Sequence, residues 1–473
     1  MVTRRTIRRG LAGPLAFGVL ALFPGAAGAA TPPTYAPAPD AEEVKGTSST
    51  FDAPKIAPGL YTDSLERGEE KRYQLTLDGR TTAYVSAVAA PPPGTEVEDY
   101  TDGLTVSVQD SSGTTCGSDG DVRYRGGRTA YPLAAYAARR IGNDLSECQH
   151  AGPYYVVVKR SGQATAASDR WPVELRYMTE PALKGPAPGE PGEGSWSSAT
   201  PAAPTGGAKK SVRGGTGFND AASVGKGQWT DRILPGETRF YRVPVDWGQQ
   251  LNVSAELPSS RRKEGVGVST FVANAFGLTA YNPARGLVSA GDFVSYEGKQ
   301  TEARLFTAPV NYGNRLSDDE AVSPMRFAGW YYLEVSLNPD AAKFFKKGAD
   351  LTLRVDLKGA AKPGPQYAQP AADFSVTPED RELAATGRTA TEAEHAGHLR
   401  TVGFTGIGVG ALLLAGLGGW TVAARRRAAA GATAVTGPAA GAPAGRGGRA
   451  AGQQPYDGRS GSQNAGQEFG RPR

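Results

Sequence analysis

The chain has 473 residues, with 63 Gly, 35 Pro and 2 Cys, a length that allows two or three domains with linkers rather than one core. Its 52 basic and 47 acidic residues give a net charge of +5, but 4 arginines lie in the first ten residues and 8 beyond residue 424, against 2 acidic residues in that last part. The stretch between holds 40 basic and 45 acidic residues, and this mild acidity excludes the nucleic-acid partner that a basic isoelectric point suggests.

Residues 1–30 combine four arginines, an apolar run from Leu11 to Phe23 and small residues at Ala27 and Ala29, the three parts of a secretory signal. The run is too short for a bilayer and is flanked by Pro24. Thr3-Arg4-Arg5-Thr6 also fits a twin-arginine signal. Residues 31–50 are Pro-rich and polar and are expected as an extended leader.

The first globular unit is expected over 51–178. Arg72 to Leu77 alternates polar and apolar residues, the period of a half-buried strand. Leu104 to Val108, the run Tyr154-Tyr155-Val156-Val157-Val158, and Trp171 to Tyr177 supply further strands. No long amphipathic helical pattern interrupts them, so the unit is expected as a β-sandwich. Asp110-Ser111-Ser112-Gly113-Thr114 has the composition of a hairpin turn. Asp119-Gly120-Asp121 puts two carboxylates in an expected turn and is a weak calcium candidate, with two of the six or more oxygens such a site needs. Cys116 and Cys148 are expected to pair in an oxidising compartment, buried thiols being the alternative. A metal pair lacks further ligands at suitable spacing.

Residues 179–214 are rich in Pro, Gly, Ser and Ala and read as an interdomain linker without a core of its own. A second unit, expected over 215–359, repeats the first. GLYTDSLERGEEKRYQLTLD from residue 59 returns as GQWTDRILPGETRFYRVPVD from residue 227, displaced by 168 positions. Ala151-Gly152 and Tyr154-Tyr155 return as Ala328-Gly329 and Tyr331-Tyr332, displaced by 177. The repeat marks a duplicated domain, so Asp63, Glu69 and their copies are expected to build the fold. The aromatics Tyr61, Trp229, Tyr154, Tyr155, Trp330, Tyr331 and Tyr332 are candidates either for core packing or for a surface platform, since adjacent strand residues face opposite ways.

Leu-x-x-Gly-Glu leading into a strand, Leu104 to Gly113 in the middle and Ala-Gly-x-Tyr-Tyr late in each unit resemble the pre-peptidase C-terminal (PPC) type of bacterial β-sandwich. They are also similar to modules of actinobacterial membrane-anchored surface proteins. The resemblance implies an accessory, non-catalytic module with a jelly-roll-like fold. The second unit departs from the middle motif at Phe271 to Gly277, which carries no Asp before a turn.

Residues 360–401 are expected as a stalk, and 402–424 as a transmembrane helix. Those 23 uncharged residues, at about 1.5 Å each, cross a hydrocarbon core of roughly 30 Å. Arg425, Arg426 and Arg427 follow and favour the cytoplasmic side, giving a single-pass type I topology with an extracellular N-terminal part. Residues 425–473 are expected as a disordered basic tail. Leu383-Ala384-Ala385-Thr386-Gly387 in the stalk resembles a class E sortase signal. His395 and His398 are read as spacer, and neither H-E-x-x-H nor G-x-S-x-G occurs. No cofactor or catalytic set is expected. The leading expectation is a surface binding or scaffolding protein with an envelope glycan or protein partner; the alternatives are an accessory subunit of a peptidase system and a sortase-processed wall protein.

Overall fold

A computed structural model describes residues 32–125, 130–142, 145–162, 170–186, 196–201, 209–260, 271–291, 293–392 and 417–426. It contains β1 Glu42–Glu43, β2 Gly59–Leu65, β3 Glu70–Leu77, β4 Thr82–Ala89, β5 Gly103–Asp110, β6 Thr115–Arg123, β7 Leu133–Arg139, β8 Gly152–Ser161 and β9 Trp171–Glu180. These form two sheets, β1-β2-β9-β4-β7 and β3-β8-β5-β6. Alternate residues such as Tyr73, Leu75, Val106, Val156, Val173 and Leu175 fill the core between them, as the period of two requires.

The second unit repeats this with β10 Lys210–Ser211, β11 Ala222–Ser223, β12 Gly227–Ile233, β13 Thr238–Val245, β14 Gln250–Leu257, β15 Val272–Tyr281, β16 Leu287–Ala290, β17 Val294–Tyr296, β18 Thr301–Phe306, β19 Gly329–Leu337 and β20 Ala349–Lys358. Its sheets run β10-β12-β20-β14-β18 and β11-β13-β19-β15-β16. The protein is thus predominantly β, with two tandem sandwiches.

The repeated residues build the fold. Asp63 Oδ2 accepts from the Tyr73 hydroxyl at 2.9 Å and the Gly46 amide at 2.8 Å. Asp231 Oδ2 accepts from Tyr241 at 2.7 Å and Gly214 at 2.7 Å. Each carboxylate thereby ties the segment before its sandwich to the first two long strands. The partners Gly46 and Gly214 lie in the expected leader and linker. There β1 pairs with β2 through Glu42↔Tyr61, and β10 with β12 through Lys210↔Trp229. Each sandwich therefore uses more chain than the strand pattern marks. The Cys116–Cys148 disulfide forms and ties β6 to the loop before β8.

The two sandwiches pack face to face through non-equivalent sheets. In β4, Ala83, Val85, Ala87 and Ala89 enter the first core, while Tyr84 and Val88 point the other way and are also buried. Val88 and Ala134 meet Phe218, Phe240, Tyr281 and Tyr332 of the second sandwich. Tyr84, Tyr136 and Met178 meet Ala284, Phe327 and Phe374. Among the described residues two ion pairs cross this interface, Glu174 with Arg285 and Glu180 with Arg315, the latter at 2.9 Å.

Arg285 corrects the expected alignment of the copies. The counterpart of the Asp110 turn is Asn282-Pro283-Ala284-Arg285-Gly286, not the segment around Phe271. Asp110 Oδ1 accepts from the amides of Ser112 and Thr114 at 2.8 and 2.9 Å. Asn282 Oδ1 accepts from those of Ala284 and Gly286 at 3.0 and 2.9 Å. Gly113 has φ 88° and Arg285 φ 63°, so an arginine holds the left-handed position that a glycine fills in the first copy.

Much of the expected stalk is packed on the sandwiches. Leu183 bridges Tyr367, and Phe374 is buried beside Tyr84 and Phe327. Helix α1, Pro378–Ala384, starts with a capping box of Thr377 and Asp380. Residues 417–426 are helical. Among the described residues no helix is long and apolar enough to cross a membrane. The expected signal peptide, residues 402–416 of the expected span, His395, His398 and the tail from 427 lie outside the described residues.

Candidate binding surface

The repeated aromatics are structural parts. The Tyr61 hydroxyl donates to the Ala57 carbonyl at 2.9 Å, and Trp229 Nε1 to the Gly225 carbonyl at 2.8 Å. Tyr154 donates to the His150 carbonyl and Tyr331 to the Phe327 carbonyl, each at 2.7 Å. All four rings are buried, so the same i to i−4 bond recurs at equivalent places in both copies. Tyr332 is buried between the sandwiches. Trp330 lies under Arg242 and donates to Asp380 Oδ1 at 3.0 Å. Tyr155 is half-buried on the outer face of β8. Among the described residues the strongly exposed aromatics are Phe51, Trp420 and Tyr100, 99%, 71% and 68% exposed, and none belongs to the repeated aromatic set.

Asp119 and Asp121 lie within strand β6 rather than in a turn. Asp121 pairs with Arg123 and accepts from Thr105 at 3.1 Å; the Asp119 side chain is outside what is described. Among the described residues no group of three or more His, Cys, Asp or Glu side chains is arranged to hold a metal. The Asp110 carboxyl is held below its usual range by the Ser112 hydroxyl and the turn amides, consistent with a turn. Leu383, Ala384, Ala385, Thr386 and Gly387 form the end of α1 and its exit. The Thr386 hydroxyl bonds the Leu383 carbonyl at 2.7 Å, and Gly387 has φ 75°. A Cβ at Gly387 would stand 2.8 Å from the Trp229 ring, so the fold itself requires this glycine.

The copies differ most in the outward face of one sheet. In β1-β2-β9-β4-β7 that face carries Tyr84, Ser86, Val88, Glu174 and Met178 and is covered by the second sandwich. In β10-β12-β20-β14-β18 the corresponding positions along β14 are Asn252, Ser254 and Glu256, and β20 presents Thr352, Arg354 and Asp356 beside them. Asn252 and Glu256 thus stand where the first copy has Tyr84 and Val88, while the serine between them is kept. This face carries an open groove of about 950 Å³, lined by Gln228, Thr230, Arg232, Glu256, Thr352 and Arg354 among others. Arg354 pairs with Glu256, and Arg232 with Asp350 at 3.0 Å, while Lys209 and Arg213 add positive charge to the lining.

A second concavity of about 600 Å³ lies at the seam between the sandwiches, with Tyr136, Leu287 and Arg326 in its wall. The Arg326 guanidinium donates to the Tyr136 hydroxyl at 3.3 Å, which occupies two of its polar groups.

Two tandem sandwiches with an open polar sheet face define an all-β protein of modular build. No protein-family model matches the chain, and no curated protein matches it. Among solved structures it is similar to the ANXUR2 extracellular domain from Arabidopsis thaliana, at 9% identity over 64% of this chain and 86% of that chain, with a TM-score of 0.18. It is also similar to the ANX1 ectodomain from Arabidopsis thaliana, at 8% identity over 68% and 90% of the two chains, TM-score 0.18. A third is the human MASP-1/3 CUB1-EGF-CUB2 fragment, at 8% identity over 62% and 99%, TM-score 0.15.

Proposed function

We propose that the chain is a non-catalytic surface binding or scaffolding protein, held by a single span with its sandwiches on the outer side of a membrane. Its two sandwiches act as one body, and the outer face of β10-β12-β20-β14-β18 meets the partner, an envelope protein or glycan. The observation that carries this reading is the contrast between equivalent faces: the first copy's is covered by the second sandwich, while the second copy's, with Asn252 and Glu256 where the first has Tyr84 and Val88, carries a groove. The accessory character implied by the PPC resemblance supports the same reading.

The test is binding of the full-length protein to isolated cell-envelope material. Thr352→Arg fills the groove floor, whereas Ser107→Arg places the same charge on the outer face of β5 in the first sandwich. The reading expects loss of binding with T352R and retention with S107R. Equal retention by both overturns the assignment of the face.

A further inference from the structure

On the same sheet as the groove, this face already holds a piece of extended chain. Residues Trp196 to Pro201 of the interdomain segment cross β14 at the end opposite the groove. The Gln250 carboxamide reads both polar groups of one residue, accepting from the Ser197 amide at 3.2 Å and donating to the Ser197 carbonyl at 2.5 Å. Asn252 Nδ2 donates to the Ala199 carbonyl at 3.1 Å, and Lys358 holds the Ser197 hydroxyl. Trp196 packs against the second core, and Pro201 is buried. These contacts recognise a peptide backbone and small polar side chains, with no charge on the strap required.

The fit is incomplete along β14 beside the strap. Asn252 Oδ1 and the Ser254 hydroxyl are buried, on residues 1% and 0% exposed, and neither has a hydrogen-bond partner. A buried polar atom without a partner is unfavourable. One residue further along the same side of β14, Glu256 lines the open groove. A peptide that replaced the strap and ran on toward Glu256 would cross these positions, and the present occupant leaves both atoms unpaired.

We infer that this face is a binding site for an extended, Ser/Ala/Pro-type peptide of a partner protein, and that Trp196–Pro201 is an internal stand-in that occupies half of it until displaced. The inference rests on the proposed binding role of this face and adds the ligand class and its control. A tethered segment acts at a high effective concentration, so the intact chain binds weakly in trans and release of the strap uncovers the site.

The experiment uses a fluorescent acetyl-Trp-Ser-Ser-Ala-Thr-Pro-amide peptide and the full-length protein. Replacing Trp196, Ser197 and Ala199 by glycine is expected to raise peptide affinity by at least about tenfold over the intact chain, and adding Gln250→Ala to abolish the gain. A folded strap variant that binds no better than the intact chain overturns the inference. Should that variant not fold, hydrogen exchange of the unaltered protein decides. Exchange of the Ser197 amide well ahead of the β14 core amides supports a displaceable strap, and exchange only with β14 overturns it. Concentration-dependent dimerisation removed by Gln250→Ala would assign the face to a second copy's strap and overturn the partner assignment. Loss of envelope binding with T352R, without any gain on strap removal, would leave the face as a binding surface and reject only the strap's control of it.

Discussion

At Arg285 the backbone adopts φ 63°, a conformation that is unfavourable for a side chain with a Cβ. What stabilises it is Glu174, buried with it between the sandwiches, while the Asn219 Oδ1 accepts from the second guanidinium nitrogen at 2.8 Å. Removing one partner of such a pair strands a buried charge. Arg285→Met is therefore expected to lower the unfolding free energy by about 3–5 kcal/mol, and adding Glu174→Gln to recover part of it, both measured by urea denaturation. Glu334 presents the opposite situation. It is 3% exposed, and burial pushes its carboxyl up to about 7, against the opposing hydrogen bonds from Tyr281 and Ser336. The unfolded chain releases this proton from about pH 4.5 upward, the folded chain only near 7. Stability is thus lost as pH rises across that window. Glu334→Gln is expected to stabilise the protein by up to roughly 3 kcal/mol at pH 8 and by nothing at pH 4, read from denaturation midpoints at the two pH values.

Among the elements, the duplicated entry strands were legible in the sequence because their turn glycines, Asp63/Asp231 and Tyr73/Tyr241 hold one register. The disulfide was legible from compartment and cysteine number. The Asn282 turn was not, because Asn replaces Asp and Arg replaces the turn glycine, which hides its equivalence to Asp110–Thr114. The interface left a signal that the alternating pattern obscured. Thr-Ala-Tyr-Val-Ser-Ala-Val-Ala and Leu-Ala-Ala-Tyr-Ala-Ala-Arg, β4 and β7, are apolar or small on both faces, as strands covered on both sides are. The strap was illegible because its recognition depends on Gln250 and Asn252, ordinary polar residues until a chain lies over them. Two element-scale substitutions check these roles. Cys116→Ser with Cys148→Ser is expected to cost about 2–5 kcal/mol, by denaturation against the parent. Gly387→Val is expected to free the segment after α1 from Trp229, seen as faster amide exchange at Ser223, whose amide donates to the Arg388 carbonyl at 2.8 Å.

For the two sandwiches together, the decisive feature is that their contact is heterologous: one sheet of the first copy meets the other sheet of the second. Such an arrangement leaves the second copy's equivalent of the covered sheet outward, with Asn252 and Glu256 where the first copy has Tyr84 and Val88. With apolar clusters and two ion pairs across the contact, the sandwiches are expected to unfold in one calorimetric transition, and separate transitions would contradict a shared body. Whether the outer face of the second sandwich meets the partner is tested by hydrogen-exchange footprinting of the full-length protein with and without bound envelope material. Protection is expected at residues 228–232 and 350–356, with the outer face of β3-β8-β5-β6 unchanged. Protection confined to the first sandwich would contradict this assignment of the face.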